Sequence, residues 1–263
     1  MKLTPKDIYA KKAKGERIAS LSLYDHPTAR IADAAGADLL MTGDSLAMVL
    51  FGHPNTLSID LETMLRHTSA VSKAVTRALV VADMPFGSYD DPDAALRNAL
   101  RFIKEAGADA VKLEGGENIQ PQVQKLIAAG IPVMGHVGML PQGVGDGHYR
   151  VFGRTPEEAA AVMRDAKMLD RLGVFAIVLE CVPVKLATEI TEAVKCPTIG
   201  IGAGAGTDGQ VLVLHDMLGI QSGVSPRFVR RYAKLEETIG KAVRHYCRDV
   251  VKKKFPSSKE SFS

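Results

Sequence analysis

The feature that most constrains this chain is a series of eight short apolar segments, each followed by a stretch of helical character. The segments are apolar throughout rather than alternating, as in parallel strands that are covered on both faces. The predicted strands are Ile18–Tyr24, Asp38–Thr42, Ala78–Asp83, Ala110–Glu114, Pro132–His136, Ala176–Glu180, Thr198–Ile201 and Val211–His215. The predicted helices between them are Pro27–Ala35, Ile59–Thr76, Pro92–Glu105, Ile119–Ala129, Pro156–Leu172 and Val184–Val194.

Eight strands in strict alternation with helices predict an α/β fold of the closed (β/α)8 TIM-barrel type. The chain has 263 residues, the usual length of one such barrel. Thr4–Lys14 is predicted as an extra helix before the first strand, and Ser225–Val251 as one or two closing helices. We therefore expect a single barrel domain over residues 1–251, with residues 252–263 as a C-terminal tail.

Composition excludes several classes of protein. A net charge of only +3 gives no case for nucleic-acid binding. Cys181, Cys196 and Cys247 are odd in number and widely spaced, which disfavours a disulfide framework or a zinc knuckle. The start of the chain is charged and lacks the apolar core of a secretory signal, and no stretch is apolar enough to span a membrane. We expect a cytoplasmic protein.

Acidic residues end four of the apolar segments: Asp44, Asp83, Glu114 and Glu180. Carboxyl ends of parallel barrel strands meet at one mouth, so these side chains are expected to converge. Converging carboxylates repel one another unless a cation or a proton neutralises them. The pattern predicts a Mg²⁺ site with a base beside it, and Asp44 and Asp83 are the strongest ligand candidates. Turn or helix-capping roles for these two residues remain the alternative.

Four residues at or near strand ends are further candidates for chemistry, two of them acids already named. Lys112 and Glu114 share one face of a strand, so both are expected to face the barrel interior. Lys112 could hold a substrate carboxylate or form a Schiff base, and a simple Lys112–Glu114 ion pair is the alternative. His136, between glycines, could orient a substrate oxygen as a neutral imidazole or be a buried structural histidine. Glu180 ends a very apolar strand and is a candidate proton shuttle, whereas Cys181 points away from it into the core.

The glycine-rich segment Gly200–Gly206 follows the seventh predicted strand. Barrels often bind phosphates near their later strands, which gives a phosphate-binding interpretation some support. The segment has no Walker lysine and opens no long helix. Tight turning or close backbone approach is therefore an equally good interpretation.

From Ile8 to the tail, the chain resembles the ketopantoate hydroxymethyltransferase family. The matching segments occur in the family's order, which makes their combined signal strong. They are Gly43–Leu46, Gly52–His53, Ala82–Phe86, Val111–Glu117, Gly135–Gly138, Pro141–Gln142, Leu179–Pro183, Ile199–Gly204 and Thr207–Gln210.

The resemblance implies a Mg²⁺-dependent, class II aldolase-like enzyme of pantothenate synthesis, on the route to coenzyme A, with a barrel of the phosphoenolpyruvate/pyruvate type. Its substrates would be 3-methyl-2-oxobutanoate and 5,10-methylenetetrahydrofolate. By matching positions, Asp44 and Asp83 would hold the metal, with Glu114 nearby as a direct or water-bridged ligand. Ser45 and Lys112 would hold the 2-oxo acid, with His136 beside it, and Glu180 would be the base. The family forms homo-oligomers, commonly decamers.

Two departures from the family pattern concern the loop Gly143–Tyr149 and Ala205, and both bear on loop closure or folate contact. Two other functions were weighed. A Mg²⁺ barrel lyase of the isocitrate lyase or phosphoenolpyruvate mutase group would carry a Lys-Lys-Cys-Gly loop, which this sequence lacks. A binding-only barrel finds its sole support in the altered loop.

Overall fold

Eight parallel strands form a closed barrel in the computed structural model, which describes residues 1–143, 150–220 and 226–262. Each strand pairs with the next, and the eighth pairs with the first. The strands are β1 Ile18–Ser22, β2 Leu39–Thr42, β3 Leu79–Asp83, β4 Ala110–Glu114, β5 Val133–Gly138, β6 Ala176–Glu180, β7 Thr198–Ile201 and β8 Gly209–Val213. The predicted (β/α)8 barrel is confirmed.

Helices lie between most of the strands, as predicted. They are α1 Pro5–Ala13, α2 His26–Ala34, α3 Leu46–Val49, α4 Leu61–Ala74, α5 Pro92–Lys104, α6 Gln120–Ala128, α7 Pro156–Leu172, α8 Val184–Ala193, α9 Leu214–Leu218 and α10 Leu235–Val251. The extra N-terminal helix is α1, which begins with a capping box between Thr4 and Asp7. No helix in the described ranges is both long and apolar enough to cross a membrane.

Several predicted boundaries were wrong, and those of the last strand and the closing helix show how. The last strand begins at Gly209 rather than Val211, and His215 lies in α9 instead of ending that strand. A Cβ at Gly209 would lie 2.5 Å from the Ile18 carbonyl oxygen, so only glycine allows β1 and β8 to pair here. The closing helix begins at Leu235, later than predicted.

The chain forms two compact units by its internal contacts. Met1–Val213 contains all eight strands and the helices α1 to α8. Leu214–Ser263 contains α9 and α10, and α10 has no buried residue. The predicted assignment of residues 1–251 to one domain, with a separate tail, stays a prediction.

Strand side chains alternate between two apolar cores. Alternate residues pack inside the barrel, and those between them pack against the surrounding helices. The inner core is built mainly from the buried strand residues Ile18, Leu39, Met41, Leu79, Val81, Ala110, Met134, Ala176, Val178, Ile199 and Val211. This packing fills the barrel from its amino-terminal end and leaves the inward positions near the carboxyl ends for polar side chains.

Carboxylates at the amino-terminal end of the barrel cap the backbone. Asp33 on α2 is buried and accepts hydrogen bonds from the backbone N–H groups of Thr76 at 2.8 Å, Arg77 at 3.1 Å and Ala78 at 2.6 Å. Burial alone would raise the pKa of Asp33, but these donors outweigh it and lower the pKa. Asp33 thus links helix α2 to the segment that directly precedes β3.

Replacing Asp33 with Asn is expected to lower the free energy of unfolding by roughly 1–3 kcal/mol, because an amide cannot accept all of these backbone donors. Because the folded-state pKa is lowered, the contribution of Asp33 is complete above the unfolded-state pKa of about 3.9 and is lost as the pH falls through the folded value. Urea denaturation followed by circular dichroism at pH 7 and in acid measures both effects. Asp90→Asn on the exposed surface is the control and should change stability by less than about 0.5 kcal/mol; equal losses in the two variants would contradict the capping role.

Candidate active site at the carboxyl end of the barrel

The barrel fold brings the polar strand-end residues to one interior surface. Asp83, Lys112, Glu114, His136 and Glu180 each lie two or four residues beyond an inner-core residue of the same strand. They therefore point inward near the carboxyl ends of β3 to β6. Asp83 pairs in register with Lys112, and Glu114 with His136, so these side chains are direct neighbours.

Three buried carboxylates meet at this surface. Asp44, which follows β2 after Gly43, offers an oxygen that lies within 4.8 Å of oxygens from Asp83 and Glu114. The backbone N–H of Asp44 also donates to Asp83 Oδ2 at 3.3 Å. Oxygen ligands in such a cluster are the kind that Mg²⁺ prefers. The structure thus brings together the residues that the sequence proposed as metal ligands.

Lys112 places a cation among these carboxylates. Its Nζ lies 2.7 Å from Asp83 Oδ1 and 3.2 Å from Glu114 Oε1. Burial disfavours the ammonium form, but the charges of Asp83, Glu114 and Asp44 outweigh burial and raise the pKa of Lys112. The Lys112–Glu114 ion pair left open by the sequence is therefore present. A lysine held protonated in this way is a poor nucleophile, which disfavours the Schiff-base interpretation.

His136 lies between two carboxylates. Its Nδ1 is 3.3 Å from Glu114 Oε1 and its Nε2 is 3.2 Å from Glu180 Oε2, although neither contact is aligned as a hydrogen bond. Burial and Lys112 lower the pKa of His136, but Glu114 and Glu180 outweigh them and raise it to about 9. This arrangement favours the charged imidazole over the neutral ring that the sequence suggested, because carboxylates from the neighbouring strands β4 and β6 lie beside both of its nitrogens.

The charge balance of the cluster is uneven. Lys112 and His136 outweigh burial at Glu114 and lower its pKa to about 2. At Asp44, burial first and then the charges of Asp83 and Glu114 raise the pKa well above its ordinary value. Burial also raises the pKa of Asp83. The negative charge around Asp44 is under-compensated, which is the condition that a divalent ion relieves.

Hydroxyl groups line the neighbouring part of the mouth. Ser45 Oγ lies 2.8 Å from the Tyr24 hydroxyl and 3.5 Å from Ser22 Oγ. A Cβ at Gly43 would approach Ser22 Oγ to 2.6 Å, so only glycine keeps this cluster compact. Ser45, which directly follows Asp44, thus lies with Ser22 and Tyr24, for which the sequence analysis proposed no role. The substrate-binding role of Ser45 stays a prediction.

Gln142 is the main residue of the site for which the sequence analysis proposed no function. It is buried, and its side-chain amide contacts Asp44 while its backbone contacts Glu114. The signal was available, because Pro141–Gln142 is one of the motifs shared with the family. Its role was invisible because the contact joins residues that lie 98 positions apart in the chain.

The remaining sequence candidates lie away from this chemistry or outside the described residues. Cys181 is buried, and burial together with Glu180 raises the pKa of its thiol to about 11, which fits a core residue. The altered loop falls on residues 144–149, which the structure does not describe.

The glycine-rich segment Gly200–Gly206 shows the geometry of tight packing. A Cβ at Gly206 would approach Thr188 Oγ1 to 2.2 Å, and one at Gly204 would approach the Val184 side chain to 2.8 Å. Backbone carbonyls of the segment also accept hydrogen bonds, at Gly204 from Gln210 and at Ala205 from Arg17. These contacts favour the tight-turning interpretation over a phosphate loop.

Replacing Lys112 with Met is expected to lower the free energy of unfolding by about 3–5 kcal/mol, because it leaves buried carboxylates without their cation. Thermal unfolding followed by circular dichroism measures the loss. Lys185→Met is the control, since Lys185 is exposed and lies 3.9 Å from Glu189, and it should cost less than about 1 kcal/mol. A Lys112→Met protein as stable as the control would show that Lys112 does not balance the cluster.

Proteins of solved structure share this barrel. A phosphonopyruvate hydrolase solved with oxalate and Mg²⁺ superposes with a TM-score of 0.64 at 14% identity, covering 98% of this chain and 93% of that protein. A 2,3-dimethylmalate lyase of the phosphoenolpyruvate mutase/isocitrate lyase superfamily superposes with a TM-score of 0.60 at 15% identity, covering 100% and 90% of the two chains. At such identities the likeness establishes the fold alone, and it gives no support to the lyase function weighed above.

Sequence relatives are far more similar. The proteins named 3-methyl-2-oxobutanoate hydroxymethyltransferase from Salinibacter ruber and Christiangramia forsetii are 50% and 49% identical to this chain. Each alignment covers 99% of this chain and at least 97% of the relative. The family described as ketopantoate hydroxymethyltransferase matches residues 2–258. Taken with the strand-end carboxylates in their expected places, this match shows that the chain belongs to the ketopantoate hydroxymethyltransferase family.

Proposed function

We propose that the protein transfers a hydroxymethyl group from 5,10-methylenetetrahydrofolate to 3-methyl-2-oxobutanoate and forms ketopantoate (2-dehydropantoate) for pantothenate and coenzyme A synthesis. The observation that carries the proposal is the buried cluster of Asp44, Asp83 and Glu114. A further carboxylate, Glu180, lies on the other side of His136 from Glu114. A 2-oxo acid needs these two elements: a site for its chelating oxygens and a base for its C3 proton. The names of the relatives supply the substrate.

Asp44 and Asp83 would hold Mg²⁺, with Glu114 close enough to bind it directly or through water. When bound, Mg²⁺ supplies Lewis acidity toward the keto and carboxylate oxygens, which favours the enolate of the 2-oxo acid by several kcal/mol. The fit rests on the crowded carboxylates, since burial and like charge raise the pKa of Asp44 and Asp83.

Lys112 and Ser45 would hold the substrate carboxylate at the barrel mouth. Lys112 supplies a permanent positive charge, because its carboxylate neighbours keep it protonated. Ser45 supplies a hydroxyl that Tyr24 orients at 2.8 Å. Both groups bind without covalent chemistry, as in a class II aldolase, so the lysine acts as a counter-ion to the substrate.

Glu180 would remove the C3 proton. Its carboxylate is the least enclosed of the acids at this surface, with 14% of its side chain exposed against 2% for Glu114. His136 Nε2 lies 3.2 Å from Glu180 Oε2 and would help to orient this carboxylate by its charge. The proton would pass from C3 to the carboxylate, and C3 would form a bond to the methylene carbon of the folate. Both bonds from that carbon to folate nitrogens would break, water would supply the hydroxyl oxygen, and the two nitrogens would take up the C3 proton and the remaining proton of water.

The resemblance to the family also supports a homo-oligomer, commonly a decamer, that acts in the cytoplasm on small molecules and binds neither nucleic acid nor membrane. These parts of the proposal do not depend on the geometry of the site. Gel filtration with light scattering measures the assembly directly.

Replacing Glu180 with Gln is expected to slow exchange of the substrate C3 proton by roughly 10²- to 10⁴-fold, because an amide cannot accept that proton. Proton NMR of 3-methyl-2-oxobutanoate in D₂O, with Mg²⁺ and without folate, measures the rate. Glu189→Gln is the control, because Glu189 is a glutamate on α8 half exposed to solvent and should exchange at the wild-type rate. Equal rates for Glu180→Gln and wild type would exclude Glu180 as the base.

Removal of the cation is expected to abolish ketopantoate formation from the two substrates. Treatment with EDTA should stop the reaction and Mg²⁺ should restore it. The double substitution Asp44→Asn with Asp83→Asn should lower kcat/KM by about 10²-fold or more, in line with several kcal/mol of lost Lewis-acid stabilisation. Product formation measured by chromatography provides the test, and full activity in EDTA or in the double variant would disprove the metal assignment.

A further inference from the structure

We propose that Gln142 is a positioning residue that fixes the orientation of Asp44 and Glu114 and thereby sets the affinity of the site for its divalent cation. This inference rests on the proposed metal site. It concerns a residue that lies outside the set of expected ligands and substrate contacts.

Gln142 contacts the carboxylate cluster from the segment after β5. Its side-chain Nε2 donates to Asp44 Oδ2 at 2.9 Å and to the backbone carbonyl of Met84 at 3.0 Å. Its backbone N–H donates to Glu114 Oε2 at 3.0 Å. The Tyr89 hydroxyl donates to its Oε1 at 2.5 Å. One residue therefore links the ends of β2, β3 and β4.

The amide of Gln142 has a single suitable orientation. Nε2 faces two acceptors, Asp44 Oδ2 and the Met84 carbonyl, and Oε1 faces the Tyr89 hydroxyl. A flipped amide would place Oε1 against both acceptors, which would be repulsive. The side chain is also buried, with 6% of the residue exposed. Tyr89 and Met84 thus orient the Gln142 amide independently of its contact with Asp44.

The two carboxylates need such a support because the cluster repels itself. Asp44, Asp83 and Glu114 are buried and offer oxygens within 4.8 Å of one another, and the Gln142 amide donates to Asp44 Oδ2. On Glu114, the Gln142 N–H occupies Oε2, while Lys112 lies 3.2 Å from Oε1. Neutral donors on defined oxygens orient both carboxylates without adding a positive charge that would compete with the metal.

Removal of a group that hydrogen-bonds to a metal ligand typically lowers metal affinity by 10- to 100-fold. Gln142→Met keeps the length and burial of the side chain but removes its donors. We expect it to weaken Mn²⁺ binding by 10- to 100-fold relative to wild type, measured from the electron paramagnetic resonance signal of free Mn²⁺. Tyr89→Phe removes only the hydroxyl that orients the amide, and should weaken binding by about 2- to 10-fold, as for one ordinary hydrogen bond.

Gln210→Met is the matched control. The side-chain amide of Gln210 donates to the Gly204 carbonyl at 2.8 Å and to Thr207 Oγ1 at 2.7 Å. Gln210 lies on β8, and neither of these two partners belongs to the carboxylate cluster. It should bind Mn²⁺ with wild-type affinity. Circular dichroism of the metal-free proteins verifies folding, and if Gln142→Met does not fold, Tyr89→Phe alone decides the outcome.

A second readout separates positioning from a role in folding. The spectrum of bound Mn²⁺ reports the arrangement of its ligands, so Gln142→Met should alter that spectrum at saturating metal. Wild-type affinity together with a wild-type bound spectrum in Gln142→Met would overturn the inference.

Different results would disprove the proposed metal site and the proposed role of Gln142. If wild-type protein binds no Mn²⁺, or if Asp44→Asn binds it as tightly as wild type, the proposed metal site is wrong and this inference falls with it. If wild-type binding depends on Asp44 and Gln142→Met leaves it unchanged, the metal site stands and only the role of Gln142 is disproved.

Discussion

A lysine ammonium buried among three carboxylates is the interaction on which the carboxyl end of this barrel depends. Lys112 lies within ion-pair distance of Asp83 and Glu114, and all three side chains are almost fully enclosed. Buried charges are costly unless they are paired, and the four carboxylates of the site outnumber Lys112 and His136. The remaining imbalance appears at Asp44, whose pKa is raised. This excess of negative charge destabilises the folded state at the carboxyl end, and the proposed divalent ion would neutralise it.

The two ends of the barrel use the same kind of side chain for opposite purposes. At the amino-terminal end, Asp33 faces backbone N–H groups, which lower its pKa and make it part of the fold. At the carboxyl end, Asp44 faces other carboxylates, which raise its pKa. This division matches the general separation of stability and chemistry between the two faces of such barrels. It also explains why the barrel itself, shared with proteins that are about 15% identical, does not identify the reaction.

The family's sequence motifs acquire physical meaning at the mouth of the barrel. Gly43 has no side chain because Ser22 occupies the space where a Cβ would lie. Pro141–Gln142 follows β5 so that one amide can reach Asp44 and one backbone N–H can reach Glu114. The carboxylates and the groups that orient them therefore come from different strands but form one continuous hydrogen-bonded unit.

The sequence by itself determined the strands and which acids end them. Ala110–Glu114, Ala176–Glu180 and Thr198–Ile201 were predicted at their observed bounds, because strands buried on both faces are short, apolar throughout and bounded by helical patterns. It missed the helices α3 and α9, which have four and five residues and are too short to show a helical period. Only the tertiary structure decided that His136 lies between two acids and that Gln142 joins two of the carboxylates. Barrel closure sets those distances across strands, and no local pattern along the chain records them.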